Sequence, residues 1–155
     1  PELMGVLQDR KTQKQLFDDH SLPTAPWLNI ENMQQMAQVL NQLEVPLVLK
    51  KRRFGYDGYG TYVIRDQKSA NEMLAQFNAT PALQNEKFIA EQFIPFVREL
   101  ACIFARNRKG EVTHYPLVES LQKDSRCFWT MGPIQNKKFL NLALKIKKFL
   151  NKIDY

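Results

Sequence analysis

The sequence lacks several features that would assign it to a specialised class of proteins. None of its apolar runs approaches the roughly 20 residues that a membrane-spanning helix needs. Its beginning does not have the pattern of a secretory signal peptide. It has only two cysteines, with no CxxC pair and no neighbouring histidine, which argues against a zinc or redox site. We therefore expect a cytoplasmic protein of 155 residues without a membrane partner.

Positive charge is present in excess, but it is concentrated in one segment. The net charge is +6, and residues 135–155 supply six lysines against a single aspartate, so the remainder carries about +1. Apolar residues in this segment recur at helical spacing, from Phe139 to Ile153. The lysines fall mostly on the other face, and no arginine or aromatic cluster lies between them. This pattern favours a solvated surface helix over a nucleic-acid-binding surface.

The rest of the chain alternates between helical and strand patterns without internal repeats, which predicts an α+β fold. Three helices are expected, with Asp9, Asn32 and a Ser69–Glu72 capping box at their starts. These helices cover about residues 10–20, 33–43 and 69–77, and strands are expected at about residues 45–51, 61–66, 87–94, 98–107 and 111–120.

A glycine-rich loop, "KRRFGYDGYGTYVIRD", lies between two of these strands. Dinucleotide-binding fingerprints and Walker loops run from a strand through glycines into a helix, so neither motif fits here. Two interpretations remain. The loop is either an ordinary hairpin turn or a flap that covers nucleotide phosphates, with Lys50 at its base to neutralise their charge. In the first case Lys50 would reach only solvent.

A second candidate site is "FIAEQFIPFVREL", in which Glu91 and Glu99 bracket an apolar segment interrupted by Pro95. Backbone groups of such a segment can bind the edge of an adenine ring, and nearby carboxylates can accept hydrogen bonds from amino and ribose hydroxyl groups. Either glutamate alone could equally be an ordinary surface residue.

Together these stretches resemble the ATP-grasp ligases, and among them the 5-(carboxyamino)imidazole ribonucleotide synthetases. The resemblance follows the chain in order through "QDRKTQKQLFDDHSLPTAPW", "LVLKKRRFGYDGYG", "AEQFIPFVREL", "FARNRKGEVTHYPLVES" and the segment around Pro133. It implies a central fragment of an ATP-grasp domain that covers residues 1–155. The expected parts are a helical lead-in (residues 1–45), a small lobe with the phosphate loop (46–95) and the start of a large lobe (96–155).

The resemblance also implies an ATP-binding site, although it identifies no catalytic residue and no metal ligand within the chain. The implied residues are the basic Arg10 and Lys50, the loop residues Gly55, Tyr56, Asp57, Gly58, Tyr59, Gly60 and Thr61, the hinge residues Glu91, Gln92, Phe93 and Ile94, the ribose-binding Glu99, and Gln122. Four residues depart from the family pattern: Phe54 replaces a glycine, Tyr59 a basic residue, Thr61 a glutamine and Gln122 a histidine.

The implied reaction is the ATP-dependent carboxylation of 5-aminoimidazole ribonucleotide in purine biosynthesis. ATP phosphorylates bicarbonate to carboxyphosphate, and the amine then captures the carboxyl group. Magnesium is an implied cofactor whose ligands are expected beyond residue 155, so the fragment alone should bind ATP weakly and turn nothing over. A homodimer is left open. The alternatives are another ATP-grasp carbon–nitrogen ligase and, from a different class, a basic nucleic-acid-binding module.

Overall fold

The computed structural model describes residues 2–56 and 58–153. Helices and strands are mixed along the first part of the chain, and consecutive strands precede the last helix. The helices are α1 (Glu2–Gln8), α2 (Arg10–Asp19), a 3-10 turn (Met33–Gln35), α3 (Met36–Gln42), α4 (Gln67–Ala79), α5 (Pro81–Gln84) and α6 (Lys137–Lys152). The strands are β1 (Trp27–Ile30), β2 (Leu47–Lys51), β3 (Thr61–Ile64), β4 (Phe88–Gln92), β5 (Glu99–Ala101), β6 (Phe104–Arg106), β7 (Val112–His114), β8 (Val118–Lys123) and β9 (Arg126–Met131).

The first sheet is antiparallel, with strand order β1-β4-β2-β3. Side chains alternate between its two faces. Leu47 and Leu49 of β2 point into the main hydrophobic core, where they meet residues of α3 and α4 such as Val39 and Phe77. The same alternation places Lys50 on the opposite face of the sheet, beside Glu91 of β4. One face of this sheet therefore builds the core, and the other carries charge.

The second half of the chain forms a three-stranded sheet, β5-β8-β9, and a two-stranded hairpin, β6–β7. Helix α6 packs here through Ala143 and Leu150, and the ring of Phe149 meets Phe17 of α2 and His20, which follows that helix. This aromatic contact joins the second half of the chain to the first. None of the helices within residues 2–56 and 58–153 combines the length and apolar character needed to cross a membrane.

Helix starts follow the local sequence closely. The cap at Asp9 is confirmed, because its carboxylate accepts a hydrogen bond from the backbone N–H of Lys11 at 2.9 Å. The predicted Ser69–Glu72 capping box is wrong. Asp66 caps α4 instead, and Ser69 is its reciprocal partner, so the helix begins at Gln67. Asn32 precedes the 3-10 turn but makes no side-chain capping bond.

Two long strands expected from the sequence are each divided. The segment 98–107 splits into β5 and β6, which belong to different sheets, and 111–120 splits into β7 and β8. Pro116 lies at the second break, where its lack of an N–H disfavours continued pairing. The strands β1 and β9 had not been predicted. Because β1 pairs with β4, the expected helical lead-in also contributes a strand to the sheet that follows it.

Candidate functional site

A cleft of about 950 Å³ opens between the charged face of the first sheet and the β8–β9 side of the second. Of the predicted site residues, it is lined by Arg10, Lys50, Gly58, Thr61, Glu91, Gln92, Phe93, Ile94, Glu99 and Gln122. Of the other described loop residues, Gly55, Tyr56, Tyr59 and Gly60 do not line it. Asp57 lies outside the described residues. The fold thus brings most of the predicted site to one place.

Two residues that line the cleft belong to a three-membered charge cluster. Glu91, which is buried, accepts a hydrogen bond from the Lys50 ammonium at 2.5 Å, and Lys14 of α2 lies 3.1 Å from its other oxygen. Burial raises the pKa of Glu91, but the hydrogen bonds and charges of Lys50 and Lys14 outweigh it, so the pKa lies below its ordinary value. Glu91 is therefore an ionised carboxylate held between two cations.

The hinge segment beyond Glu91 is held in place by hydrogen bonds from the Gln92 side chain and the Phe93 backbone. The Gln92 side-chain nitrogen donates to the carbonyls of Glu44 at 3.0 Å and Pro46 at 3.1 Å. The Phe93 N–H donates to Pro46 as well, at 3.1 Å. The Gln92 side chain thus positions the segment at the edge of the cleft by anchoring it to the loop before β2.

The glycine loop is folded across the cleft. Gly58 and Gly60 have φ of +78° and +77°, and the Thr61 N–H donates to the Gly58 carbonyl at 3.1 Å. A Cβ added to Gly58 would lie 2.3 Å from the Ser125 hydroxyl in the β8–β9 turn. Only glycine tolerates both this backbone conformation and so close an approach. The loop therefore touches the opposite wall of the cleft.

The aromatic side chains of the loop lie outside the cleft. Tyr56 and Tyr59 stack with ring centroids 5.6 Å apart, and the Lys51 ammonium lies 5.6 Å from the Tyr59 ring. Phe54 is 87% exposed and adopts a φ of +60°, a conformation in which glycine is more favourable. The Tyr59 side chain thus packs on a lysine of β2 instead of facing the cleft.

The base of the loop is tied to the start of α2. Arg52 donates two hydrogen bonds to the Asp9 carboxylate, of 2.9 and 2.6 Å. The Arg10 guanidinium donates to the Lys51 carbonyl at 3.1 Å. The Arg52 hydrogen bond is the main reason that the pKa of Asp9 falls from 3.8 to about 2. Arg52 also reaches Glu31 at 3.1 Å. This ion-pair network sets the position from which the loop leaves β2.

Three of these residues had not been identified from the sequence as parts of the site. Lys14 lies four residues after Arg10, and this helical spacing would have placed both on one face of α2. Asp9 was predicted as a cap but not as the partner of Arg52. Ser125 carried no local signal, because its turn contains no glycine. Within the described ranges, no group of three acidic, histidine or cysteine side chains is arranged to hold a metal ion.

Comparison with known proteins gives a consistent result. Residues 15–155 match the ATP-grasp domain family. The N5-carboxyaminoimidazole ribonucleotide synthase of Synechococcus elongatus is 36% identical over 133 residues, which is 86% of this chain and 32% of that protein. The enzyme of the same name from Brucella melitensis is 35% identical over 161 residues, covering all of this chain and 42% of that protein.

Solved structures share the fold. An ADP complex of PurK, an N5-carboxyaminoimidazole ribonucleotide synthetase, superposes with a TM-score of 0.85 at 25% identity, covering 98% of this chain and 39% of that one. The Aspergillus clavatus carboxyaminoimidazole ribonucleotide synthase complexed with ATP gives 0.78 at 30% identity, with coverages of 93% and 38%. The chain therefore spans about a third to two fifths of the length of these relatives.

Proposed function

The chain belongs to the ATP-grasp family, and on that premise we propose that it is the ATP-binding part of an enzyme that carboxylates 5-aminoimidazole ribonucleotide. The observation that carries the proposal is the cleft itself. It combines a basic floor, a glycine loop that closes over it and a hinge segment at its edge. The names of the relatives described above support the choice of this reaction.

The proposed pose of ATP follows from the chemistry of the lining residues. The adenine ring lies against the segment from Gln92 to Ile94, and the ribose hydroxyls donate to Glu99. The phosphates lie between Lys50 and Arg10 beneath the glycine loop, where backbone N–H groups and cations favour an anion. Gln122, on the opposite wall, is the weakest of the proposed contacts because glutamine carries no charge.

The role of these residues in the reaction is positional and electrostatic. In phosphoryl transfer the protein aligns the reacting groups and neutralises the charge that they carry. We assign that task to Lys50, Arg10 and the loop. Bicarbonate attacks the terminal phosphorus of ATP and ADP leaves, and the amine then attacks the carboxyl carbon of carboxyphosphate and inorganic phosphate leaves. Magnesium is a proposed cofactor, but no step assigned to this chain uses it. The cytoplasmic location and the homodimer remain predictions.

The test is the effect of Lys50→Met on nucleotide binding. We expect calorimetry with ATP to show an affinity about ten- to a hundredfold lower than that of the wild-type chain, because a charged hydrogen bond to a phosphate is lost. Lys68→Met, which removes an exposed lysine of α4, is the matched control and should bind like the wild type. Equal ATP affinity in both variants would return Lys50 to the role of an ordinary strand residue.

The acceptor is tested separately in the full-length gene product. We expect ATP turnover that requires both bicarbonate and 5-aminoimidazole ribonucleotide. ATP turnover stimulated by a different amine would instead assign the protein to another ATP-grasp carbon–nitrogen ligase.

A further inference from the structure

The two cations that hold Glu91 differ in their surroundings. Lys14 reaches one carboxylate oxygen from α2, and its side chain is 12% exposed. Lys50 reaches the other oxygen from β2, and its side chain is 30% exposed and lines the cleft. Lys14 is thus the enclosed partner, and Lys50 is the one that a ligand can reach.

A phosphate in the cleft would compete with Glu91 for Lys50. An ammonium has three donors, but at 2.5 Å from Glu91 the Lys50 nitrogen is oriented toward that carboxylate. A polyanion beneath the glycine loop would draw it away. Glu91 would then keep its negative charge in a buried position, and an uncompensated buried charge is strongly unfavourable.

We propose that Lys14 is a positioning residue that keeps Glu91 ionised and in place while Lys50 turns from Glu91 to a nucleotide phosphate. This inference rests on the proposed function, because it assumes that ATP occupies the cleft. Glu91 is followed directly by the hinge segment, so a fixed Glu91 also keeps that segment in register with β2. Lys14 thus links the phosphate end of the site to the adenine end.

The surroundings of Glu91 offer few other groups for this task. From β1, the uncharged Trp27 pairs with it in register. Arg10, one helical turn before Lys14, lines the cleft but donates to the backbone of Lys51. The remaining charged residues of the cleft are Arg98, Glu99 and Glu119, of which Arg98 pairs with Glu119 at 3.4 Å.

The test compares Lys14→Met, Lys14→Arg and the wild-type chain in calorimetric titrations with ATP and with adenosine. At about pH 8 we expect Lys14→Met to weaken ATP binding on the order of tenfold, with wild-type affinity restored by Lys14→Arg. Adenosine affinity should stay within about twofold in all three proteins, because a nucleoside has no phosphate that could attract Lys50 away from Glu91.

Proton uptake separates positioning from a merely structural role. In Lys14→Met, ATP leaves Glu91 without a cation, so binding should take up as much as about one more proton than in the wild type. The enthalpy measured in buffers of different ionisation enthalpy reports this difference, and the ATP affinity of the variant should recover as the pH falls. Lys68→Met, which removes an exposed lysine of α4, should behave like the wild type.

The wild-type protein supplies a measurement that does not depend on the variant folding. The carbon-13 signal of the Glu91 carboxyl group should remain that of an ionised carboxylate when ATP saturates the chain. Protonation of Glu91 in the wild type would overturn the inference, as would equal losses of ATP and adenosine affinity in Lys14→Met. Failure of the full-length gene product to bind either ligand would overturn the proposed function and the inference together.

Discussion

Asp9 carries two structural tasks at once. It caps α2 through the N–H of Lys11, and it holds Arg52 in a two-bond ion pair at the base of the glycine loop. Its side chain is only 7% exposed, so solvent screens the pair weakly. Removal of the charge should therefore affect the stability of the fold more than removal of a surface carboxylate.

The pH dependence of unfolding should reveal this charge. Because the pKa of Asp9 is lowered from 3.8 to about 2 in the folded chain, its contribution is fully present above pH 3.8 and is lost as the pH falls through about 2. We expect Asp9→Asn to reduce the free energy of unfolding by about 2 kcal/mol at neutral pH. Urea unfolding at a series of pH values measures this difference, which should shrink toward pH 2.

Asp19→Asn provides the control, since this residue at the exposed end of the same helix accepts a hydrogen bond only from Gln15 among the described contacts. It should change stability by less than about 0.5 kcal/mol. A difference between wild type and Asp9→Asn that does not vary with pH would contradict the ion pair as its cause.

At the residue scale, the sequence identified candidate groups that lie in local motifs. Lys50 and Glu91 were identified from the resemblance, and the fold brings them together in the cleft. Lys14 was missed because its partner is 77 positions away in the chain, from Lys14 to Glu91. Long-range pairing of this kind depends on how a helix packs on a sheet, which no local pattern specifies.

At the element scale, the glycine loop and the β8–β9 hairpin meet across the cleft. The hairpin turns through Asp124 and Ser125, with φ of 50° and 61°, while Lys123 and Arg126 pair on either side. Two positive φ values in a two-residue loop indicate a type I′ turn, which usually contains glycine or asparagine. The absence of that signal explains why β9 was not predicted.

The contact between these elements predicts a coupled pair of substitutions. Gly58→Ala should weaken ATP binding about tenfold, because the added methyl group would collide with the Ser125 side chain and strain a positive φ. Adding Ser125→Gly to that variant should restore part of the affinity by removing the hydroxyl from the path of the loop. Calorimetric titration with ATP measures both steps.

The thermal midpoint distinguishes a phosphate-covering loop from an ordinary hairpin turn. If the loop covers ATP, Gly58→Ala should leave the midpoint within a few degrees of the wild type, since a loop outside the hydrophobic core can shift at little cost. If it acts only as a turn, the midpoint should fall while ATP affinity stays the same. If Ser125→Gly does not change the ATP affinity of the Gly58→Ala variant, the two elements are not coupled.

At the scale of the whole molecule, the basic helix α6 illustrates what composition can predict. Its amphipathic pattern is confirmed: it runs from Lys137 to Lys152, and Ala143, Phe149 and Leu150 are buried on its apolar side. The helix could be predicted because 3.6-residue periodicity is local. The contact of Phe149 with Phe17 and His20 could not be predicted, because it depends on the relative placement of elements that are distant in the sequence.

Binding measurements on the whole molecule can distinguish the nucleic-acid alternative from ATP binding. Binding driven by the lysines of α6 would weaken steeply with salt and would not depend on Lys50. Binding of ATP in the cleft should depend on Lys50 and be unaffected by changes in α6, because no residue of α6 lines the cleft in the described part of the chain.

The cleft has walls from both halves of the molecule, so a ligand that fills it should protect both from hydrogen exchange. We expect saturating ATP to slow exchange at the glycine loop and also at the β8–β9 turn, where Ser125 meets Gly58. At a free ATP concentration of 100 times Kd, the free energy of unfolding should rise by about 2.7 kcal/mol through mass action alone. Exchange in α6 should change far less, which makes that helix an internal reference. Protection confined to the glycine loop would place ATP on the first sheet alone, and equal exchange with and without ATP at both walls would remove the cleft as its binding site.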